Sequence, residues 1–264
     1  MAKIKAQITF LIVLLFGVAL FGFGQTAEEH LKKGDDYYTQ LDNQKALEEY
    51  LAANKLDPKN YEALWKLSRT YIDLGDLVSP KEKDYEAQQK QLYKNAQSYA
   101  RKSVAANPND TWGHFYLSAS LGMYALMLGK KDQVSMSKEI KTAIDKAIEL
   151  DPNNDLAYHA LGRWQRRMAE IGGAQRFFGS ILFGSIPKGT FEESEKAFKK
   201  AVELKPDYIN HHLEFGRTYI SLKKYDLAAQ EFQKCLDLNV ASSKDSAYKD
   251  EAKQELAAAK KKLK

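Results

Sequence analysis

Residues 27–58 have the sequence AEEHLKKGDDYYTQLDNQKALEEYLAANKLDP, in which small and aromatic residues alternate ahead of a proline. The residues that form this pattern are Gly34, Tyr37, Ala46, Tyr50, Ala53 and Pro58. Two antiparallel helices cross closely only where small residues such as Gly34 and Ala46 keep side chains out of the way. Tyr37 and Tyr50 would fill the space beside the crossing, and Pro58 would end the second helix. The stretch therefore predicts a helical hairpin.

The same pattern recurs along the chain at a spacing of about 34 residues, with longer units in the middle. It resembles the tetratricopeptide repeat, whose small, aromatic and proline positions the first unit matches at all six places. We predict five units and a capping helix, near residues 27–60, 61–110, 111–154, 155–208, 209–240 and 245–264. Because about three repeats already bury a continuous core, the sequence predicts an all-α solenoid over residues 25–264 without an internal domain boundary.

Three of the units carry insertions, near residues 75–92, 128–137 and 171–186. In the third unit, we expect the extra residues to lengthen the first helix. In the fourth unit, the insertion contains Phe177, Phe178, Leu182 and Phe183 and is too apolar to lie free in water. The first expectation is that it folds back across the repeats and narrows their groove. Alternatively, it lines a pocket for an acyl chain, inserts into a membrane or meets a partner protein.

The first 24 residues differ from the rest of the chain. Lys3 and Lys5 precede an uncharged apolar run at 8–23, and two glycines near its end provide a small-x-small exit. As a helix this run would span ~24 Å, less than the ~30 Å hydrocarbon core of a bilayer. The length favours a cleaved signal peptide over an N-terminal membrane anchor, and both interpretations stay open. Either predicts an exported protein, periplasmic or anchored at the cell envelope, and the anchor would add membrane association.

Composition excludes several classes of function. The 264 residues include 40 Lys and Arg against 35 Asp and Glu, and the net charge of +5 is mixed along the chain. We therefore expect no nucleic-acid binding. A single cysteine, Cys235, permits neither an intrachain disulfide nor a cysteine-based zinc site. We expect Cys235 to be a buried structural thiol.

No catalytic or metal-binding motif stands out in the sequence. The glycine spacing at 179–185 resembles a phosphate-binding loop, but Ser185 occupies the place of the essential lysine. Three histidines, His30, His114 and His212, share the fourth position of their units, and we predict that they pack between helices instead of binding a metal. The sequence thus predicts a protein that is not an enzyme and has no catalytic residues, cofactor or metal.

Residues 158–183, YHALGRWQRRMAEIGGAQRFFGSILF, and the following GSIPKGTFEESEKAFKKAVELKPDY resemble the regulator of microtubule dynamics family. The features that carry the resemblance are Gly162, Arg163, Trp164, Phe183, Gly184 and Pro187. The likeness extends over roughly residues 27–238. It implies a helical adaptor, associated with membranes or organelles in several members, without established catalytic residues. It does not imply microtubule binding here, because a bacterial-type export signal would place the chain away from tubulin.

The repeat resemblance places the first helix of each unit on the concave surface of the superhelix. The residues that it assigns to this groove are Trp65, Arg69, Trp112, Phe115, His159, Arg163, Arg166, Arg167 and Arg217. Guanidinium groups bind carboxylates through a planar fork, and aromatic side chains anchor a ligand at low entropic cost. We therefore predict a protein or peptide ligand with acidic and apolar residues. Leu31 and Asp35 stand where a carboxylate-clamp groove presents Lys and Asn, so that type of site is not predicted.

Two interpretations of the groove remain. Arg163, Arg166 and Arg167 could pair with nearby glutamates and only solvate the surface; the candidate partners are Glu170, Glu192, Glu193 and Glu195. If they bind a ligand, the leading function is a non-enzymatic adaptor that captures a protein segment. The alternative is a carrier of an anionic lipid or similar amphiphile, with the apolar insertion around the acyl chain and Arg163, Arg166 or Arg217 at the head group.

Overall fold

The computed structural model describes residues 25–263, and the predicted signal peptide or anchor at 1–24 lies outside them. Within this range the chain forms twelve α-helices and no β-strand, which confirms the predicted all-α class. The helices are α1 Ala27–Thr39, α2 Asn43–Leu56, α3 Tyr61–Leu77, α4 Tyr85–Ala106, α5 Thr111–Leu126, α6 Lys130–Leu150, α7 Asp155–Ala169, α8 Gly173–Phe183, α9 Phe191–Leu204, α10 Ile209–Ser221, α11 Tyr225–Asp237 and α12 Asp245–Lys261. No helix in the described range is both long and apolar enough to cross a bilayer.

The helices pack as a stack of antiparallel pairs. These pairs are α1 with α2, α3 with α4, α5 with α6, α7 with α9, and α10 with α11, while α12 packs on the last pair. The first helices of neighbouring pairs contact one another in the order α3, α5, α7, α10, and they form one layer. The second helices form the other layer, each packed between first helices. This arrangement is the predicted α-solenoid, in which the first helices line the inner face.

Close contact between a glycine and an aromatic ring fixes the crossing within four pairs. The contacts are Gly34 with Tyr50, Gly75 with Tyr93, Gly162 with Phe198, and Gly216 with Phe232. A Cβ atom at Gly34 would lie 2.4 Å from a ring carbon of Tyr50, closer than any real side chain approaches. The prediction that Gly34 permits a close helix crossing is therefore confirmed, and the same contact recurs in later units.

The connections that lead into units two, three and four share one design. Asn60, Asp110 and Asn154 each lie two residues after the proline that follows the preceding helix, and each begins a first helix as its N-cap. Their side chains accept hydrogen bonds from the backbone N–H three residues later, at 3.0, 2.9 and 3.0 Å. An N-cap of this kind stabilises a helix by about 1 kcal/mol. The repeated connection gives successive pairs a similar orientation.

The histidines at the fourth position of the first helix make hydrogen bonds to neighbouring helices or loops. His30 contacts Glu49 of α2 at 2.5 Å, and His212 makes the same contact with Glu231 of α11 at 2.6 Å. His114 hydrogen-bonds the carbonyl of Pro108 at 2.9 Å, and the other ring nitrogen of His212 hydrogen-bonds the corresponding proline carbonyl. The prediction of packing between helices is confirmed for His30 and His212, whereas the half-buried His114 contacts the loop before its own helix.

The insertion of the third unit lengthens mainly the second helix, and the expectation for the first helix needs correction. Helix α5 has 16 residues against 13 in α1, whereas α6 has 21 against 14 in α2. Helix α5 ends at Leu126, and a turn of only three residues, 127–129, follows it. Helix α6 therefore begins already at Lys130 and takes up most of the extra residues. The extra residues therefore extend the outer layer more than the inner one.

Candidate binding groove

The aromatic residues predicted for the middle of the groove form a stack between α3 and α5. The Trp65 ring centroid lies 5.6 Å from those of both Trp112 and Tyr116, and the rings of Trp65 and Tyr116 are almost parallel. Trp65 and Trp112 are half-buried, so each keeps an edge open to a ligand. Phe115 points elsewhere: it is 7% exposed and packs edge-on against Tyr116 in the core. The assignment of Phe115 to the groove surface is therefore corrected.

Arg69 is held within the wall of the groove. Its guanidinium carbon lies 3.5 Å from the centroid of the Tyr38 ring, and one of its nitrogens donates to the Tyr50 hydroxyl at 2.9 Å. The Tyr50 hydroxyl in turn donates to Asp35 at 2.8 Å, and the Lys66 ammonium donates to the same carboxylate at 2.6 Å. Because the charge of Arg69 rests on aromatic faces of its own chain, it serves the packing of units one and two.

Arg166 and Arg217 converge on a glutamate that the sequence interpretation missed. Arg166 donates to the Glu214 carboxylate and, at 2.7 Å, to its backbone carbonyl. Arg217 donates to Glu214 at 2.9 Å and also to Glu251 and Glu255 of α12 at 2.5 and 2.7 Å. Glu214 is 4% exposed, and burial alone would raise its pKa. The surrounding arginines outweigh burial and hold the pKa of Glu214 well below its usual range.

Pairing with a glutamate therefore holds for Arg166, but one partner is the buried Glu214 and not Glu192, Glu193 or Glu195. Glu170 lies 3.9 Å from Arg166 and 3.4 Å from Arg167 at the end of α7. Glu214 could have been recognised from its spacing, because it precedes Arg217 by one helical turn on a predicted groove helix. No position of the repeat pattern demands an acid there, which is why pattern matching passed over it.

Arg163 and Arg167 are the two predicted groove arginines that remain exposed. They lie one helical turn apart on α7, and the side chain of Arg167 is 58% exposed. The charge of Arg163 contributes to the lowered pKa of Glu214, which places it beside the buried ion pairs of the inner layer. Arg167 shares an exposed contact with Glu170 at 3.4 Å, and both guanidinium groups remain open to solvent.

His159 belongs to the packed interior rather than to the groove surface, which corrects its assignment. It is 7% exposed, stands edge-on to Phe198 and lies 3.0 Å from His211 between their Nδ1 atoms. The Nε2 atom of His211 lies 2.9 Å from Asp155. Burial lowers the pKa of both imidazoles, although Asp155 partly offsets the effect for His211. Both rings are therefore neutral near pH 7, and one donates to the other.

The thiol of the single cysteine lies in the core that α10, α11 and α12 share. Cys235 is fully buried, as predicted, and burial raises the pKa of its thiol to about 12. A thiol with this pKa carries almost no thiolate at neutral pH and is a poor nucleophile. In the part of the chain from 25 to 263, no three His, Cys, Asp or Glu side chains form a group able to hold a metal ion.

A turn between α11 and α12 crosses the inner side and touches units one and two. We call residues 241–245 the closing turn. Its Lys244 ammonium lies 2.9 Å from both Asp73 and Asp76 of α3, and its Ser243 hydroxyl accepts a hydrogen bond from Asn43 of α2 at 3.2 Å. These contacts join residues that are far apart in the chain. The sequence interpretation missed Lys244, because the closing turn falls outside the repeat pattern.

The closing turn has an internal brace of its own. The buried Asp245 carboxylate accepts hydrogen bonds from the backbone N–H groups of Ala241 and Ser242, both at 2.8 Å, and from the Ser242 hydroxyl at 2.7 Å. Burial alone would lower the pKa of Lys244, but Asp73 and Asp76 outweigh it and raise that pKa well above its ordinary value. Lys244 is therefore a charged group held in a defined place on the inner side.

The apolar insertion of the fourth unit does not fold back over the groove. Its helix, α8, buries none of its side chains, and Phe177, Phe178 and Leu182 are 63%, 63% and 70% exposed. Phe183 is less exposed, at 38%. Arg176 fastens the base of α8 by donating to the carbonyls of Met168, Ile171, Ile186 and Pro187. The expectation of a structural cover is therefore wrong, since only Ile186, after the helix, is buried.

Comparisons with known proteins bear on both family and fold. A family model described as "Regulator of microtubule dynamics protein 1-3" matches residues 30–260. Regulator of microtubule dynamics protein 1 of Bos taurus is 28% identical over 228 residues, which are 86% of this chain and 70% of the relative. The protein of the same description from Caenorhabditis elegans is 22% identical over 225 residues, 85% of this chain and 97% of its own.

Two solved structures support the solenoid architecture. A thermophilic TPR protein of Thermus thermophilus aligns with a TM-score of 0.63 at 18% identity, over 88% of this chain and 99% of its own. The type IV pilus biogenesis factor PilW aligns with a TM-score of 0.55 at 16% identity, over 89% of this chain and 90% of its own. At these identities the likeness shows the fold alone, and it confirms the tetratricopeptide-like arrangement.

Proposed function

The chain belongs to the regulator of microtubule dynamics protein 1-3 family, and from this premise we propose that it is a non-enzymatic interaction scaffold. It binds a segment of another protein on the inner face of its superhelix. The relatives are regulators by name. A scaffold that acts through contacts with other macromolecules is compatible with this name. The buried, neutral histidine pair and the protonated Cys235 thiol also support a non-enzymatic role.

The observation that carries the proposal is the exposure of Arg163 and Arg167 in an inner layer whose other predicted arginines are internally bound. Arg166 and Arg217 are bound by glutamates, and Arg69 lies against aromatic rings. Arg163 and Arg167 are both exposed, and a partner's carboxylate can replace Glu170 in its exposed 3.4 Å contact with Arg167. Trp65 and Trp112 on earlier units offer half-buried aromatic area. An acidic segment with apolar residues suits both features.

The experiment compares partner recovery by two variants that lose the same charge. In Arg163→Gln/Arg167→Gln the two exposed groove arginines become neutral, while Arg166 is kept because it holds the buried Glu214. The control is Lys196→Gln/Lys199→Gln on α9, where both lysines are exposed on the outer layer. Each charged hydrogen bond lost to a carboxylate weakens binding by about 1.5–3 kcal/mol. We expect recovery of partners in a quantitative pull-down to fall at least tenfold for the arginine variant only.

Equal recovery by the two variants, with helix content unchanged in circular dichroism, would contradict the proposal. The cell envelope is the proposed site of action, supported by the sequence of residues 1–24. N-terminal sequencing of the native protein distinguishes a cleaved signal peptide from a retained anchor.

The lipid-carrier alternative gains no support from the fourth-unit insertion. An acyl chain requires an enclosed apolar cavity. Helix α8 instead leaves Phe177, Phe178 and Leu182 in solvent, so it encloses nothing. Of the arginines assigned to an anionic head group, Arg166 and Arg217 are already paired with carboxylates.

A further inference from the structure

The two carboxylates under the closing turn form a built site, because each one is oriented by a phenol. The Tyr38 hydroxyl donates to Asp73 at 2.9 Å, and the Tyr93 hydroxyl donates to Asp76 at 2.6 Å. The Tyr93 ring is fixed in turn by its contact with Gly75. The Asp73 side chain is 9% exposed and that of Asp76 is 19% exposed. Two partly buried carboxylates held in a fixed orientation favour the binding of a cation. In this structure the cation is the ammonium of Lys244, which lies outside the repeats.

The side chain that occupies the site, Lys244, shows which kind of cation the site accepts. The Lys244 ammonium lies 2.9 Å from an oxygen of each aspartate, so one nitrogen bridges two separate carboxylates. An ammonium has three donors around a single point of charge and suits this bridge. Tyr208 and Tyr248 add phenol rings close enough to influence the pKa of Lys244. The chemistry is that of a lysine-recognition site.

We propose that Asp73 and Asp76 recognise a lysine of the partner segment, and that Lys244 fills the site as an intramolecular competitor in the unbound protein. The inference rests on the proposed function, since it names a second contact of the same partner on the inner face. Such a segment carries a lysine for α3 and an acidic residue for Arg163 and Arg167 of α7.

The closing turn is suited to exchange, because polar groups fasten it to units one and two. These contacts are the Asn43–Ser243 hydrogen bond and the two Lys244 ion pairs. A partner segment that carries a lysine and a hydroxyl or carbonyl group can form the same contacts in their place. Ala241 and Ser246, on either side of the turn's core, are exposed to solvent. The Asp245 brace keeps the turn folded when it leaves the site.

The test uses a fluorescein-labelled decapeptide that copies residues 239–248, NVASSKDSAY, and a matched decapeptide with alanine in place of its lysine. Binding is measured by anisotropy to the full chain and to Lys244→Met, which keeps the length of the side chain and removes its charge. We expect Lys244→Met to bind the lysine decapeptide at least tenfold more tightly than the wild-type chain does. We also expect Asp73→Asn/Asp76→Asn, added to Lys244→Met, to abolish this gain.

Equal affinities of the wild-type chain and Lys244→Met would overturn the proposal. Equal binding of the lysine and alanine decapeptides to Lys244→Met, or retained binding after the aspartate substitutions, would do the same. A second measurement keeps Lys244 in place and does not depend on the fold of that variant. Nitroxide labels on Gln44→Cys and Ser246→Cys, both exposed, report the distance between α2 and the closing turn. We expect saturating lysine decapeptide to lengthen this distance, and an unchanged distance in the bound state would refute displacement.

The outcomes separate this inference from the proposed function. If the arginine variant loses partner recovery while the decapeptide affinities are equal, the lysine site is refuted and the scaffold stands. If the decapeptide binds through Asp73 and Asp76 while the arginine variant recovers partners normally, the arginine groove is refuted and the lysine site stands.

Discussion

At single residues, the crossings of the solenoid depend on glycines that face aromatic rings. A Cβ atom at Gly216 would lie 2.4 Å from a ring carbon of Phe232, which is fully buried and cannot move aside. Overpacking of this kind costs about 1–3 kcal/mol. We expect Gly216→Ala to lower the free energy of unfolding by that amount in urea denaturation.

Gly122 provides the matched control, because it also lies within a first helix but has no atom within 4 Å of the added Cβ. Alanine is favoured over glycine inside a helix by about 0.5–1 kcal/mol. Gly122→Ala should therefore raise the free energy of unfolding. Destabilisation of similar size at both positions would mean that backbone effects, and not the ring contact, decide the outcome.

A second prediction at this scale concerns Glu214, whose carboxylate neutralises Arg166 and Arg217 in the interior. Removing one member of a buried ion pair leaves an uncompensated charge and typically costs about 3–5 kcal/mol. We expect Glu214→Gln to lose about 3 kcal/mol of unfolding free energy, since Arg217 keeps Glu251 and Glu255. In Glu193→Gln, an exposed pair with Lys196 is broken, and the loss should stay below about 1 kcal/mol.

The pH dependence of stability supplies an internal check on Glu214. Its pKa is lowered in the folded chain, so the ion pairs stabilise the fold above the ordinary glutamate pKa of about 4.5 and lose that effect as the pH falls below it. The Glu214→Gln variant should therefore lose less stability below that pH than the wild-type chain does. If the free energy of unfolding fell equally steeply below about pH 4.5 in both proteins, a charged Glu214 in the folded chain would be ruled out.

At the scale of helices, the buried His159–His211 pair makes the junction of α7 and α10 sensitive to mild acid. Both pKa values are lowered by burial, whereas in the unfolded chain both are near 6.5. As the pH falls below 6.5, the unfolded chain takes up protons that the folded chain excludes, so the free energy of unfolding falls. The free energy of unfolding falls by about 1.4 kcal/mol per pH unit for each imidazole that stays neutral in the folded chain. Above about pH 6.5 the pair does not change the pH dependence of stability.

The test of this junction follows urea unfolding of the wild-type chain and of His159→Gln/His211→Gln from about pH 8 to about pH 5. The variant should be less stable at the upper end, because the glutamines fit the packing poorly. Its stability should nevertheless decline less below 6.5, since two titrating groups are gone. Parallel curves for the two proteins would show that the acid sensitivity arises elsewhere.

The helices also show how far the sequence pattern reaches. Gly34 and Tyr50 were predictable, because a close crossing needs a small residue opposite a ring at a fixed spacing. The positions of Phe115 and His159 were not predictable, because a difference of one residue in helix rotation decides whether a side chain lies in the core or in the groove. The prediction for helix α8 was wrong for another reason. The apolar sequence indicates that the helix needs a contact surface, but it does not show that this surface belongs to the same chain.

For the whole molecule, the feature that the sequence could not predict is the contact of the closing turn with α2 and α3. A repeat pattern describes neighbours, and in an ordinary solenoid each unit contacts only the next. Asp73, Asp76 and Lys244 are unremarkable charged residues until the curvature of the stack brings them together. That curvature is the sum of small rotations between successive pairs, which no single stretch of sequence specifies.

The contact predicts coupling between the two ends of the solenoid, which hydrogen exchange can measure. Lys244→Met removes the ion pairs to Asp73 and Asp76, and we expect at least about tenfold faster exchange at the end of α3 and the start of α2, as well as in α12. Lys249 is the matched control, because its ammonium donates only to carbonyls at the end of α11, those of Leu236 and Leu238. Lys249→Met should speed exchange in α11 and α12 and leave α3 unchanged. If Lys244→Met likewise affected only α11 and α12, the two ends would be independent, and the closing turn would be a local feature of the cap.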